Sequence, residues 1–322
     1  MNILLPPTSA ASAFAGKVDA LLWTMTAVTG FVAVSIITLM VLFSVRYRRA
    51  ATVDRRIGPA TIGVGNHWLE ITWICVPLAI FVAFYVWGAR LYFDYENPPL
   101  APLEIDIVAK QWMWKLEQPN GRREINELHV PRGRPVKLVL SSQDVIHSFY
   151  VPAFRVKRDV VPGRFAILWF TPTVTGRYHL FCAEYCGTNH SEMGGDIVVM
   201  EPQAYSRWLE HGAVQPTLAQ RGAALYRQLG CSGCHTPGSA IPAPDLDNLY
   251  GRTVPLSNGS FVKVDEQYVR DSIVQPSRDV AAGYRDEMPS FAGRVSEEDL
   301  LELVAYIKSM APAQAPEGAG SP

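Results

Sequence analysis

The sequence predicts a membrane-anchored chain of several domains, with two membrane-spanning helices, then an all-β domain, then an all-α domain. Three observations support this prediction. The uninterrupted apolar sequence ends before residue 92, short β-type runs separated by Pro and Gly follow, and helical periodicity returns towards the C-terminus. A length of 322 residues leaves room for all these parts. The formal net charge of −1 excludes a strongly basic nucleic-acid-binding protein.

Two uncharged segments are candidate membrane spans. Residues 20–45 carry no charge and are long enough to cross a lipid bilayer as a helix. Residues 71–89 form a shorter run and include Pro77, which a membrane helix tolerates. Together they predict a transmembrane helical hairpin over residues 1–95. The first segment begins too far into the chain and is too long for a signal peptide, although the Ala-Phe-Ala pattern at 13–15 leaves cleavage there open.

The connection between the two spans predicts their orientation. It carries arginine at positions 46, 48, 49, 55 and 56 against a single aspartate at position 54. The positive-inside rule therefore places this connection in the cytoplasm. We expect a protein of the bacterial inner (cell) membrane, with its later domains on the periplasmic face.

Residues 96–212 predict an all-β domain. Several short strands at regular spacing favour a sandwich or a small barrel. The strands are expected near 103–108, 136–140, 165–170, 177–181 and 197–200.

A loop between the last two of these strands concentrates metal-ligating residues. It contains Cys182, Cys186, His190 and Met193, and His147 lies earlier in the chain. Thiolates, imidazoles and a weak thioether suit copper, and two cysteines on one loop can each bridge two metal ions. A structural zinc site would leave Met193 without a role. A copper-delivery domain of the thioredoxin type would need alternating helices and strands, and would not need His190.

The segment 213–311 predicts a domain that carries covalent haem. Its Cys231-Ser-Gly-Cys234-His235 motif is typical of haem attachment through two thioethers, with the histidine as an axial iron ligand. An amphipathic helix follows Ser296, a plausible N-cap. With the loop at 248–252, these features resemble class I cytochrome c, a small all-α fold.

Met288 is the predicted sixth iron ligand, and it is followed by a proline. Met310 and His211 are the alternatives, although Met310 ends a packing helix and His211 precedes the domain. The remaining residues, 312–322, are rich in Pro, Ala and Gly, and they predict a disordered tail.

Residues 68–208 resemble subunit II of haem–copper cytochrome c oxidases. The resemblance implies a cupredoxin-like β-barrel with a dinuclear, mixed-valence CuA centre. It implies that the backbone carbonyl of Glu184 completes the copper ligands, and that the Glu184 side chain binds Mg²⁺ shared with subunit I. The CuA ligands implied are His147, Cys182, Glu184, Cys186, His190 and Met193. The matching segments are Leu69-Glu70-Ile-Thr-Trp73, Lys110-Gln-Trp112-Met-Trp114, Ser142-Gln-Asp144-Val-Ile-His147-Ser, Val161-Pro-Gly-Arg164 and the 182–193 loop.

A cytochrome c domain fused behind such a subunit is the arrangement of caa(3)-type oxidases. The resemblance implies electron flow from a soluble or membrane cytochrome c donor, through haem c and CuA, to subunit I, with subunit III as a further partner. Dioxygen would be reduced to water there with proton pumping. Trp112 would be the electron exit from CuA, and Glu70 the start of a proton channel. A CuA-containing nitric oxide reductase, which uses a similar subunit, stays open as an alternative, as does a free-standing redox module.

Overall fold

The computed structural model describes residues 10–48, 66–211, 216–236, 238–239 and 241–311. The chain divides into two compact units, Phe14–Asn97 and a second unit made of Met1–Ala13 with Pro98–Pro322. The predicted disordered tail at 312–322, and the arginines at 49, 55 and 56, lie outside the described residues.

Two long helices, α1 (Ala13–Arg46) and α2 (Asn66–Glu96), dominate the first unit. Both are long and apolar enough to cross a membrane, with mean hydropathies of 2.4 and 2.1 over their most apolar windows. Pro77 lies inside α2. Threonine hydroxyls such as that of Thr24, which donates to the Ala20 carbonyl at 2.7 Å, bond within their own helix. Such internal bonding suits an apolar surrounding. The two predicted helices are confirmed.

Ten strands form the β-domain of the second unit. They build two five-stranded sheets, in the orders β3-β2-β1-β5-β8 and β4-β10-β9-β6-β7. Most neighbouring strands are antiparallel, but β1 with β5 and β4 with β10 are parallel pairs. The five strands expected from the sequence are all present. The strands are β1 (Leu103–Lys110), β2 (Met113–Glu117), β3 (Arg123–Ile125), β4 (Glu127–Pro131), β5 (Val136–Ser142), β6 (His147–Val151), β7 (Val156–Val160), β8 (Ala166–Phe170), β9 (Gly176–Cys182) and β10 (Gly194–Met200).

The core of the β-domain lies between its two sheets. Every second residue of β1 points inwards, so Ile105 and Ile107 are fully buried. Phe149 of β6 and Leu180 of β9 are fully buried on the facing sheet. Each such side chain stabilises the fold by about 1.5–3 kcal/mol through apolar burial. The alternation confirms the predicted β-sandwich.

Residues near the N-terminus of the chain are hydrogen-bonded to the edge of the β-domain. The Ala11 amide donates to the Ala153 carbonyl at 2.9 Å, and the Ala11 carbonyl accepts from the Thr173 amide at 2.8 Å. The Ser12 hydroxyl donates to the Phe154 carbonyl at 2.8 Å. Ala11 is completely buried. From the sequence, this region was predicted only as a possible site of cleavage by a signal peptidase. Cleavage after residue 15 would remove a segment that is hydrogen-bonded to the β-domain.

A helix, α3 (Pro202–Glu210), follows the sandwich, and a helical domain comes after it. Three longer helices and one small hairpin form that domain, which confirms the all-α prediction apart from the hairpin. The elements are α4 (Leu218–Gln228), β11 (Thr253–Pro255), β12 (Phe261–Lys263), α5 (Glu266–Val274) and α6 (Glu297–Ser309). Ser296 caps α6 as predicted, because its hydroxyl accepts the Asp299 amide at 3.2 Å.

The helices α4 and α6 meet with their backbones in close approach. A Cβ atom on Gly222 would lie 1.9 Å from the Glu302 carbonyl oxygen, so only glycine fits there. The predicted apolar face of α6 is buried against this crossing. Leu303 and Ile307 of that face also line a cavity on one side of α6.

Candidate metal and haem sites

The predicted copper ligands come together where the neighbouring strands β6, β9 and β10 begin or end. Cys182 ends β9 and Gly194 begins β10, so the ligand-rich loop connects these antiparallel neighbours. His147 begins β6, which pairs with β9 so that Phe149 lies opposite Cys182. A histidine 35 residues earlier in the chain is thereby placed beside the loop.

The predicted donor atoms form one cluster, in which His147, Cys182, Cys186 and Met193 are buried. The Cys182 Sγ lies 3.9 Å from the His147 Nδ1 and 3.3 Å from the Glu184 carbonyl oxygen. The Cys186 Sγ lies 3.5 Å from the His190 Nδ1 and 3.7 Å from the Met193 Sδ. The two sulfurs are 3.8 Å apart. A disulfide would need about 2.05 Å, so the thiols are free to bind metal. This soft donor set fits copper.

The two thiols differ in acidity. Burial opposes ionisation of Cys182, but hydrogen bonds with His147 and with the backbone lower its pKa to about 6. Burial and the charge of the Cys182 thiolate raise the pKa of Cys186 to about 12. Cys182 therefore ionises more readily than Cys186, and binding of metal by both sulfurs would release the thiol protons that remain.

Residues beside the cluster orient its ligands. The Asp144 carboxylate lies 2.8 Å from the His147 Nε2, which leaves Nδ1 to face the sulfur of Cys182. The same carboxylate accepts the Gln111 amide at 2.7 Å, and the Gln111 side chain donates to the Cys186 carbonyl at 2.8 Å. Support of this kind fixes imidazole orientation at metal sites. Asp144 and Gln111 lie in segments that carry the family resemblance, but neither was predicted to have a role.

Trp112 is in direct contact with the copper loop. Its Nε1 donates to the Cys186 carbonyl at 3.2 Å, and Gly187 makes room for it. A Cβ at Gly187, where φ is +116°, would lie 3.4 Å from that Nε1 and 2.8 Å from the Gln111 Nε2. Trp114 is instead fully buried in the sandwich, with its ring centroid 5.2 Å from that of Phe149.

Glu184 contributes its backbone to the cluster and its side chain to the surface. Its carbonyl faces Cys182, while the residue itself is exposed. The neighbouring Tyr185 is 75% exposed. A Mg²⁺ site shared with a second subunit would need such an outward carboxylate.

The haem motif borders a cavity of about 480 Å³ in the helical domain. Cys231, Cys234, His235 and Met288 all line it, among mostly apolar side chains. The His235 Nδ1 lies 2.8 Å from the Pro244 carbonyl oxygen, which orients the ring and leaves Nε2 for a metal. Two thiols, an imidazole and a thioether around an apolar cavity of cofactor size fit a covalent haem.

The alternative iron ligands lie elsewhere. The described residues that line the cavity include Met288 but neither Met310 nor His211. Met310 follows the end of α6, where its carbonyl accepts the Asn248 amide at 3.3 Å. The His211 Nδ1 lies 2.6 Å from the Arg207 carbonyl oxygen at the end of α3. These placements favour Met288, which stays a prediction.

Glu70 lies in the second turn of α2. Its carboxylate is half exposed and lies 3.7 Å from the Nδ1 of His67, one turn earlier in the helix. The surrounding side chains are apolar and outward-facing, with Trp68 at 73% and Trp73 at 61% exposure. The proton-channel prediction for Glu70 depends on a partner surface next to these residues.

A β-sandwich with a thiolate, imidazole and thioether cluster, beside a helical domain with a haem-attachment cavity, defines a membrane-anchored electron-transfer protein. Residues 83–201 match the family described as cytochrome C oxidase subunit II, periplasmic domain, and residues 219–311 match cytochrome c. The chain belongs to the cytochrome c oxidase subunit II family and carries a cytochrome c domain at its C-terminus. This confirms the predicted resemblance, and it implies a CuA centre and haem c.

Two relatives and one solved structure are similar to this chain over the following extents. Cytochrome c oxidase subunit 2 of Alkalihalophilus pseudofirmus is 30% identical over 296 residues, which cover 86% of this chain and 83% of the relative. Alternative cytochrome c oxidase subunit 2 of Bradyrhizobium diazoefficiens is 29% identical over 230 residues, covering 62% and 81% respectively. One similar solved structure is the crystal structure of the periplasmic domain of subunit II of cytochrome oxidase from Bradyrhizobium japonicum. It is 32% identical in sequence, and the match covers 35% of this chain and 95% of the solved chain with a TM-score of 0.34.

Proposed function

We propose that this chain is the electron-receiving subunit of a proton-pumping terminal oxidase of the caa(3) type. It would accept electrons from a cytochrome c donor and deliver them to subunit I, where dioxygen is reduced to water. The observation that supports this most directly is the presence of both a copper ligand cluster and a haem cavity in one member of the family. Haem c and CuA, when bound, would each carry one electron at a time. Subunit III is a further proposed partner.

The positions of the side chains support the proposed ligand roles. Cys231 and Cys234 would form the two thioether bonds, and His235 and Met288 would be the ligands of the haem iron. The strands β6 and β9 hold the copper ligands on a packed sandwich, so little rearrangement would accompany a change of charge. The Glu184 side chain would bind Mg²⁺ together with subunit I. The proposed copper ligands are His147, Cys182, Glu184 through its carbonyl, Cys186, His190 and Met193.

The whole proposal is tested on the complex purified from membranes. With reduced cytochrome c as the donor, the complex should consume dioxygen, and the chain should contain copper and one covalent haem. Consumption of nitric oxide in place of dioxygen would instead assign the chain to a CuA-containing nitric oxide reductase. A chain that purifies without subunit I and without either activity would indicate a free-standing redox module.

Trp112 is the proposed electron exit towards subunit I. Replacing Trp112 with Phe removes the hydrogen bond to the Cys186 carbonyl, which spans 3.2 Å, and keeps an aromatic ring in its place. We expect unchanged spectra for both metal centres and severalfold slower oxidation of the copper centre by subunit I. Stopped-flow absorbance of the copper centre measures that rate.

Trp114→Phe is the matched control for Trp112→Phe. Trp114 is fully buried, so its truncation should lower the free energy of unfolding by roughly 1–3 kcal/mol without slowing electron exit. Oxidation of the copper centre at the parent rate in Trp112→Phe would return Trp112 to an ordinary structural aromatic.

Glu70 is the proposed start of a proton pathway into subunit I. The alternative is a plain helix-end carboxylate, which would favour the N-terminus of α2 by a few tenths of a kcal/mol. If the carboxylate gathers protons, Glu70→Ala should keep both metal centres and their reduction by cytochrome c, while turnover falls. Glu70→Asp should retain more activity. Oxygen consumption and proton uptake by the assembled complex measure both effects.

A control for Glu70 is available at the other end of the same helix. Glu96→Ala removes a carboxylate from the last residue of α2, so it should leave turnover near the parent value. Unchanged turnover in Glu70→Ala would support only the helix-end role.

A further inference from the structure

The helical domain packs on the outer face of the sheet β3-β2-β1-β5-β8. An apolar cluster joins Val108 of β1 and Val139 of β5 to Leu301 of α6. Phe165, Ile167 and Leu218 pack around it. The haem-binding domain and the copper-binding domain are therefore in contact through side chains from three secondary-structure elements.

Four charged residues form a closed ring across this contact. The Lys137 ammonium of the copper-binding domain lies 2.7 Å from the Glu266 carboxylate of the haem-binding domain. The Lys308 ammonium of the haem-binding domain lies 2.6 Å from the Glu104 carboxylate of the copper-binding domain. Within each domain the two charges also meet, at 3.2 Å for Lys137 with Glu104 and 3.2 Å for Lys308 with Glu266. Each domain thus contributes one positive and one negative charge.

Two members of the ring are largely shielded from water, whereas the Glu104 and Lys308 side chains are each 31% exposed. The Lys137 and Glu266 side chains are 13% and 11% exposed. Although burial opposes ionisation of Glu266, the two lysines lower its pKa to about 2, so the carboxylate is charged at neutral pH. Removing one member of a buried pair leaves its partner charged and desolvated, which is strongly unfavourable. The alternating order therefore favours this one arrangement of the two domains.

Further polar contacts flank the ring. Arg221 of α4 lies 2.8 Å from Glu117 of β2, and the Lys115 ammonium lies 2.5 Å from the Glu298 carboxylate of α6. The Phe165 amide donates to the Gln267 side chain at 2.8 Å. Glu298 and Lys308 lie in the first and last turns of α6, so the contact extends along the whole of that helix.

The contact leaves the haem cavity free. The described residues that line the cavity include none of the four ring members. The helix α6 separates the two environments, because Leu301 faces the sheet while Leu303 and Ile307 line the cavity. A donor could therefore approach the cavity where its lining residues Ile241 and Tyr284 are exposed, while the domains stay in contact.

We propose that Glu104, Lys137, Glu266 and Lys308 are positioning residues, whose charge ring fixes the haem-binding domain on the copper-binding domain for electron transfer between them. The inference rests on the proposed function, because it assumes that both cofactors are bound. It requires that the domains stay associated without a covalent connection.

The experiment uses the purified complex with a protease site in place of residues 212–215. After cleavage, the haem-containing fragment should remain with the copper-containing part on gel filtration. Lys137→Glu places a third carboxylate in the ring and should lower the retained haem at least about tenfold. Lys308→Glu, which makes the same charge change in the haem-binding domain, should lower the retained haem in the same way. Lys263→Glu, the same charge change on an exposed strand residue, should leave retention unchanged.

Inversion of all four charges provides the rescue. Glu104→Lys, Lys137→Glu, Glu266→Lys and Lys308→Glu together restore the alternation, so retention should return towards the parent value. Electron transfer from haem to copper in the uncleaved chain, followed after a laser flash, should slow in Lys137→Glu and recover in the fourfold variant.

Three outcomes would overturn the inference. They are release of the haem fragment from the cleaved parent, retention in Lys137→Glu equal to the parent, and an unchanged flash-induced rate in uncleaved Lys137→Glu. Copper content, haem content and haem reduction by cytochrome c are measured first on the same preparations. Their absence would contradict the proposed function, whereas their presence together with any of the three outcomes would contradict only the role of the ring.

Discussion

Replacing Cys186 with Ser should remove the copper centre while leaving the covalent haem in place. The Cys186 sulfur lies within 3.5–3.8 Å of three other donor atoms, those of Cys182, His190 and Met193. The Cys182 sulfur likewise lies near three donor atoms, those of His147, Glu184 and Cys186, so the two sulfurs occupy the centre of the cluster. A hydroxyl is a hard, weak donor in place of a soft thiolate, so copper should lose the atom that joins both ends of the site.

The expected effect on electron delivery is large. Residues that only support metal ligands change affinity or activity by about 10–100-fold when replaced, and a bridging ligand should exceed that range. We therefore expect oxidase turnover with reduced cytochrome c to fall by more than about a hundredfold. Haem absorbance should be unchanged, because Cys231 and Cys234 belong to a separate domain. Copper analysis and electron paramagnetic resonance measure the loss directly.

The control is Cys75→Ser. Cys75 lies in α2 and is exposed on the surface of that helix, so its replacement should keep the copper content and the turnover of the parent. A Cys186→Ser chain that keeps two coppers and a signal shared between them would contradict the proposed ligand set.

The candidate ligand sets could be recognised in the sequence because their chemistry is local. Four of the proposed copper ligands lie within 12 residues, and the haem motif occupies five consecutive positions. Only His147 comes from a distant segment, and its neighbours in the sequence carried the family resemblance. The long helices and the main strands were equally accessible, since hydrophobic runs and alternation depend on residues close together in the chain.

The contacts between distant segments could not be predicted in this way. Lys308 and Glu104 are 204 residues apart, and their pairing depends on how two complete domains pack. Neither residue stands out by type or spacing, since exposed lysines and glutamates are common on any surface. The edge contact of Ala11 was missed for a related reason: a short run of small residues has no strand periodicity. Gln111 and Asp144 act only through other groups, so their residue types gave no signal.

Met288→Ala should keep haem covalently attached but remove its sixth ligand. The thioether bonds to Cys231 and Cys234 do not involve Met288, so attachment should survive. Methionine ligation raises the haem reduction potential. We expect the potential to fall by roughly 0.2 V, a part of the about 0.8 V range that axial ligands control. The sulfur-to-iron charge-transfer band of the oxidised protein should disappear.

Met288→His and Met310→Ala complete the test. Met288→His should also lower the potential and abolish the sulfur band, but it should give a six-coordinate iron with two nitrogen ligands. Met310→Ala is the matched control, because Met310 follows α6 and does not line the cavity, so band and potential should persist. Optical spectra and redox titration of the full complex measure each quantity. If the band persists in Met288→Ala and disappears in Met310→Ala, the iron ligand is Met310, and the cavity-lining position of Met288 reflects packing alone.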